Sequence, residues 1–129
     1  MAANLPAATG DVLTASTVNG LVTFTINADA TTDYTTVLND QYQVLQPMNK
    51  ATAIAFKIPT NASVAFPVGT AITVLNKGAG VCTISAVSSG TTTVLSAGVS
   101  SAAPTLAQYK TAVCIKTATD TWYVVGAIG

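Results

Sequence analysis

The chain has 129 residues and contains no histidine, no glutamate and no arginine; its charge is five lysines and five aspartates, which cancel. Each absence removes a class of chemistry. General acid–base catalysis draws first on His, then on Glu or Asp tuned toward neutral pH. Zinc sites need clusters of His and Cys, and here there are two Cys and no His. Bidentate recognition of phosphate or guanine is mainly the work of Arg. A chain with zero net charge and no Arg also lacks the basic face that nucleic-acid binding requires. No apolar run is long enough to span a membrane. Met1–Gly10 lacks the basic start and apolar stretch of a signal peptide, so the chain is expected to be used in the cytoplasm of its host until release.

What remains is half hydrophobic and rich in Thr, Val and Ala, with only 8% charged residues against a usual share of about 25%. Neutral hydroxyl and amide groups tolerate burial far better than ions. A soluble monomer normally carries some net charge. Both features suit a surface that meets other protein copies; a hydroxyl-rich monomeric β domain is the bland alternative.

Met1–Ser16 lacks a sustained period and reads as an N-terminal arm, residues 1–16, ahead of a β domain, residues 17–129. Period-2 alternation then sets in. It predicts strands over Leu21–Asn27, Tyr34–Leu38, Gln41–Gln46, Ala53–Ile58, Thr70–Asn76, Val81–Val87, Thr91–Ser96, Lys110–Thr117 and Thr121–Ala127. Asn39-Asp40 reads as a turn, and Pro47 as a stop because it has no N–H for a ladder. Lys77-Gly78-Ala79-Gly80 and Ala118-Thr119-Asp120 read as hairpin loops. The Ala-rich stretch Ser101–Gln108 could make one helical turn at most, and Pro104 interrupts it. The expected fold is all-β, an antiparallel β-sandwich or jelly roll of about eight short strands with an N-terminal arm. Phe24, Ile54, Phe56, Ile72, Val74 and Ile84 lie on the apolar sides of these strands and are the expected core.

The run Pro59-Thr60-Asn61-Ala62-Ser63-Val64-Ala65-Phe66-Pro67-Val68-Gly69-Thr70-Ala71-Ile72 resembles a β module of bacteriophage virion proteins. The later motifs follow in the module's order: Gly78-Ala79-Gly80, Thr83-Ile84, Thr119-Asp120-Thr121-Trp122 and Val124-Val125-Gly126. The likeness runs from about Asp40 to Gly129, about two thirds of the chain. Such modules occur in tail fibres, head fibres and capsid decoration proteins. The resemblance implies a structural virion component, often trimeric. The region before Asp40 lacks the pattern.

Candidate sites are few. Asp120 beside Trp122 could be taken for a catalytic carboxylate, but no acid or base partner is near in sequence, and Asp in a hairpin loop ordinarily bonds its own backbone. Trp122 and Tyr123 could offer a sugar-stacking platform; core packing of Trp122 is the favoured reading. Asn61-Ala62-Ser63 fits a glycosylation sequon, though a turn role suffices. Gly78 and Gly80 do not open a helix as a phosphate loop must. Asp29 and Asp33 are too few for calcium. Cys82 and Cys114, in separate predicted strands, read as two buried free thiols with a single disulfide as the alternative. No metal, cofactor or catalytic residue is therefore expected. The leading expectation is a capsid decoration (cement) protein, a homotrimer bound to the major capsid protein or another virion protein. A small fibre or receptor-binding tip is the alternative, and a glycan-active enzyme a remote one, since paired tunable carboxylates are missing. In the arm, Leu5, Val12 and Leu13 are the apolar anchors expected to contact another subunit or the capsid.

Overall fold

The computed structural model describes residues 23–96 and 103–129. Leu5, Val12 and Leu13, and with them the expected arm contacts, lie outside these residues. The described residues carry ten strands: β1 (Thr25–Ile26), β2 (Tyr34–Thr35), β3 (Val44–Met48), β4 (Ile54–Ile58), β5 (Ala71–Asn76), β6 (Cys82–Ala86), β7 (Thr93–Ser96), β8 (Thr105–Leu106), β9 (Thr111–Ala118) and β10 (Thr121–Gly126). They form a six-stranded sheet, ordered β1-β3-β5-β9-β10-β7, and a four-stranded sheet, ordered β2-β4-β6-β8. The all-β, two-sheet expectation stands.

The pairing is mixed rather than antiparallel. Five strand pairs are parallel and three antiparallel. The reason lies in the connections. From β1 to β6 the chain alternates between the two sheets, passing from the larger to the smaller at 27–33, 49–53 and 77–81 and returning at 36–43 and 59–70. Each of the three outward passages is an arch, in which the two strands face each other through side chains instead of sharing a ladder. Successive arches stack, so like strands run parallel. Between the second and third arches the partner lies 28 residues further along on both sides of the crossing: Leu45 with Thr73, and Ile54 with Cys82.

Lys77-Gly78-Ala79-Gly80 is therefore an arch, not a hairpin. Neither Gly78 nor Gly80 needs positive φ. They are glycines because the preceding arch passes against them: an added Cβ would sit 2.2 Å from the Lys50 carbonyl oxygen at Gly78 and 1.8 Å from that of Thr52 at Gly80. Gly80 N–H donates to the Lys50 carbonyl at 3.0 Å. Buried Asn76 then fixes the arch, donating through Nδ2 to the Gly80 and Leu106 carbonyls and accepting from Gly78 N–H.

Several strand readings change. The strand expected over Tyr34–Leu38 is only Tyr34–Thr35, and Thr105–Leu106, in the stretch expected to make at most one helical turn, is a strand. Pro47 lies inside β3, opposite Leu75. On its other side the ladder bulges, with Asn27 to Ala30 spanning what Leu45 to Pro47 spans, and Gln46 Nε2 donates to the carbonyls of Ala28 and Pro47. A missing N–H is tolerated at such a bulge. The expected strand over Gln41–Gln46 begins only at Val44, because a 3-10 turn occupies Leu38–Gln41 and Gln43 has φ +49°. The strand expected over Leu21–Asn27 is, among its described residues, only Thr25–Ile26, and Phe24 is 57% exposed instead of buried. It flanks an edge strand that no layer of the described residues faces.

The rest of the expected core holds. Ile54, Phe56, Ile72, Val74 and Ile84 are buried, together with Ile58, Leu106, Cys82, Cys114, Trp122 and Val124 from both sheets. The β9–β10 hairpin forms as expected, turning at Thr119-Asp120 with Asp120 at φ +55°. An aspartate tolerates that conformation better than most side chains do.

Candidate functional site

Two features of the structure could carry function. The first is a polar cluster at one end of the sandwich, where the separated sequence motifs converge. The chain leaves β4 at Ile58 and returns to β5 at Ala71 through the Pro59–Thr70 crossing, which passes over the β9–β10 turn. Phe66 packs edge-on against Trp122, ring centres 5.5 Å apart and planes at 89°. Trp122 is buried, as core packing required, whereas Tyr123 faces out at 44% exposure; the two do not form one platform. Asp120 does not bond its own backbone in the manner of a simple turn residue. Its Oδ1 accepts from Asn61 N–H at 2.8 Å and from Thr92 Oγ1 at 3.1 Å, tying the turn to two other segments. Lys116, from β9 and only 2% exposed, points inward beside Trp122 in the register. Its Nζ donates to Asn61 Oδ1 and to the Phe66 carbonyl. The sequon residue Asn61 is thus a bridge between a lysine and an aspartate. No local pattern signals this bridge, since Lys116 simply continues the alternation of β9.

The second feature is the outer face of the six-stranded sheet. In each ladder the residues between the inward ones form rows across the strands. One row runs Leu95, Tyr123, Ile115, Ala71; the next Val125, Val113, Thr73, Leu45; the third Thr111, Leu75, Pro47. None of these residues is charged. Tyr123 and Val125 are each 44% exposed. An uncharged apolar-and-hydroxyl face of this kind has the composition of an interface centre, where charge is depleted and Tyr enriched.

The other candidates take structural places. Asp29 holds Lys77 Nζ at 2.8 Å and accepts from Asn49 at 3.0 Å. The Lys77 hydrogen bond holds its carboxyl below the usual carboxylate range, with Asn49 assisting. Asp33 accepts from Ala55 N–H at 2.9 Å. Among the described residues no three His, Cys, Asp or Glu side chains gather in one group.

Cys82 and Cys114 are free and buried. Burial pushes the Cys82 thiol up to about 11 and raises that of Cys114 further, with the charge of Cys82 adding to it. Such thiols are poor nucleophiles, because the thiolate is the reactive form.

A buried carboxylate that sequence reading assigned to a turn, Asp40, is held by Tyr34 Oη at 2.6 Å, Val37 N–H at 2.9 Å and Asn27 Nδ2 at 3.1 Å. Burial first, and then this hydrogen bond and the Asp40 charge, raise the Tyr34 phenol well above its ordinary range. The network pins the first arch to the second through Gln46, whose Oε1 accepts from Asn27.

The chain matches no protein-family model, no curated protein and no solved structure.

Proposed function

We propose that this protein is a structural component of a bacteriophage particle, a capsid decoration protein that associates as a homotrimer and stabilises the head lattice. One observation carries the reading: the outer face of the six-stranded sheet is uncharged across its rows, with Tyr123 and Val125 exposed and Val113 and Ile115 half-buried beside them. Burying such a face against another copy or a capsomer displaces water from apolar area, at about 25 cal/mol per Å², without desolvating ions. Repetition over a symmetric shell multiplies a modest single contact by avidity. The ordered likeness to virion modules supports the particle; the neutral composition supports the contact.

The test combines native mass and stoichiometry. The purified protein is expected to run as a trimer, and Ile115→Lys with Tyr123→Lys to convert it to a folded monomer. Purified particles should carry hundreds of copies, one set per capsomer, as closed shell symmetry requires. A monodisperse monomer of the unaltered chain at micromolar concentration would overturn the assembly. A few copies per particle would favour the fibre or receptor-binding tip instead.

A further inference from the structure

Lys116 poses a problem that its surroundings do not solve as drawn. It is 2% exposed, yet no carboxylate reaches it: the two ion pairs among the described residues are Lys57–Asp33 and Lys77–Asp29. Its Nζ meets only neutral oxygens, Asn61 Oδ1 at 2.5 Å and the Phe66 carbonyl at 2.7 Å. An unpaired buried ammonium is costly, and an apolar side chain of similar length would fill the space without that cost. Because a carbonyl bond is about 1.23 Å long, Nζ lies no more than about 3.7 Å from Asn61 Cγ. That is close to the range of about 3–3.5 Å from which an attack proceeds. Asp120 holds the same asparagine by its backbone N–H, at 2.8 Å. The amine itself is buried, with the Phe66 carbonyl accepting from it and Trp122 opposite Lys116 in the register.

We infer that Lys116 and Asn61 become joined by an isopeptide bond, with Asp120 as a positioning residue that holds the asparagine by its backbone N–H. Nζ passes one proton along its hydrogen bond to Asn61 Oδ1 and attacks Cγ with its freed lone pair. The Cγ–Nδ2 bond breaks as Nδ2 takes a second proton from Nζ and leaves as ammonia. Oδ1 gives its proton to the ammonia, which departs as ammonium. The sum is ammonium side chain plus carboxamide giving a secondary amide plus ammonium ion. No atom is oxidised or reduced, and no co-reactant is needed. The product has no buried charge at Lys116. It staples the Pro59–Thr70 crossing to β9 covalently, the kind of reinforcement that suits a protein under mechanical load.

The experiment is the intact mass of the denatured full chain, followed by peptide mapping. The unaltered protein is expected to be lighter than its sequence by one ammonia, with the loss mapped to a branched peptide joining Lys116 to Asn61. Asn61→Ala removes the carboxamide and is expected at full sequence mass with an unchanged circular dichroism spectrum. Lys116→Met is likewise expected at full mass. An unaltered chain at full sequence mass overturns the inference, whatever the variants do. So does an ammonia loss mapped to any other residues, or one that persists in Asn61→Ala.

Discussion

The arch between β5 and β6 and the hairpin between β9 and β10 carry the same sequence signature: two alternating strands separated by a short polar or glycine-bearing loop. They become different structures. β9 and β10 share a ladder and a sheet. β5 and β6 lie in different sheets and face each other through Ile72, Val74, Cys82 and Ile84. Alternation reports which side of a strand is buried. It does not report whether the next strand lies beside it or opposite it, because both arrangements bury the same side chains. The loop residues hold the distinction. Asp120 takes positive φ at a tight turn, whereas Gly78 and Gly80 take ordinary φ and are needed for the close passage of another segment.

The sharpest way to break this comparison is to add one methyl group at Gly80. In an isolated loop with ordinary φ, Gly→Ala is stabilising by about 0.4–1 kcal/mol, through the unfolded state. Against the stacked arch, the new Cβ would overlap the Thr52 carbonyl. Gly80→Ala is therefore expected to cost more than about 5 kcal/mol, among the largest single-residue effects, or to prevent folding. Denaturant titration decides it. A neutral or stabilising result would mean that the arches do not stack.

Phe56 ranks next. It is fully buried in β4, with the Tyr34 ring 6.0 Å away, centre to centre. Phe56→Ala should cost about 3–5 kcal/mol, read as a fall in denaturation midpoint. A loss under about 1 kcal/mol would place its side chain on the wrong face of the sheet.

Much of this was legible and some was not, for reasons that specific residues make plain. Ile54, Phe56, Ile72, Val74 and Ile84 sit in strands of at least five residues with a layer above them, so alternation located them. Pro47 was misread because the rule against proline in a strand assumes a regular ladder, and here the neighbouring segment bulges. The parallel order was hidden because a 28-residue offset left little repeated sequence between the two arches: across it, Phe56 answers to Ile84 but Lys50 to Gly78. The Lys116–Asn61–Asp120 bridge joins positions up to 59 residues apart, a distance over which no local pattern speaks.

A smaller effect is expected where the two regions meet. Cys82 belongs to the arches and Cys114 to the hairpin, and both thiols lie in the one core cluster. Burial lifts Cys82 from an ordinary 9.0 to about 11, and Cys114 is lifted further. The unfolded chain therefore loses thiol protons first. Above about pH 9 it binds fewer protons than the folded chain, so stability falls as pH rises through 9 toward about 11. Below pH 9 both states keep the protons and the thiols add no slope. Denaturation midpoints across this range should decline, and less steeply in a Cys82→Ala, Cys114→Ala double variant. Equal slopes in the two proteins would mean that the thiols reach solvent in the folded state.

The smallest expected effect tests the same alternation at its weakest point. Phe24 and Phe56 are both placed inward by period 2, yet one is 57% exposed and the other fully buried. The difference is support. β4 has β2 and β6 as sheet neighbours and the second sheet facing it. Phe24 precedes a two-residue edge strand whose one ladder partner among the described residues is β3, and the Ile26 side chain beyond it is also exposed, at 62%. Removing a side chain that folding leaves in water forfeits little transfer free energy. Phe24→Ala is therefore expected to change stability by no more than about 0.5 kcal/mol, where Phe56→Ala costs several times that. The pair is best measured side by side, at a protein concentration low enough to keep the chain monomeric. A Phe24→Ala loss above about 2 kcal/mol under those conditions would show that a layer covers β1 in the free protein, and that the inward reading of Phe24 was right.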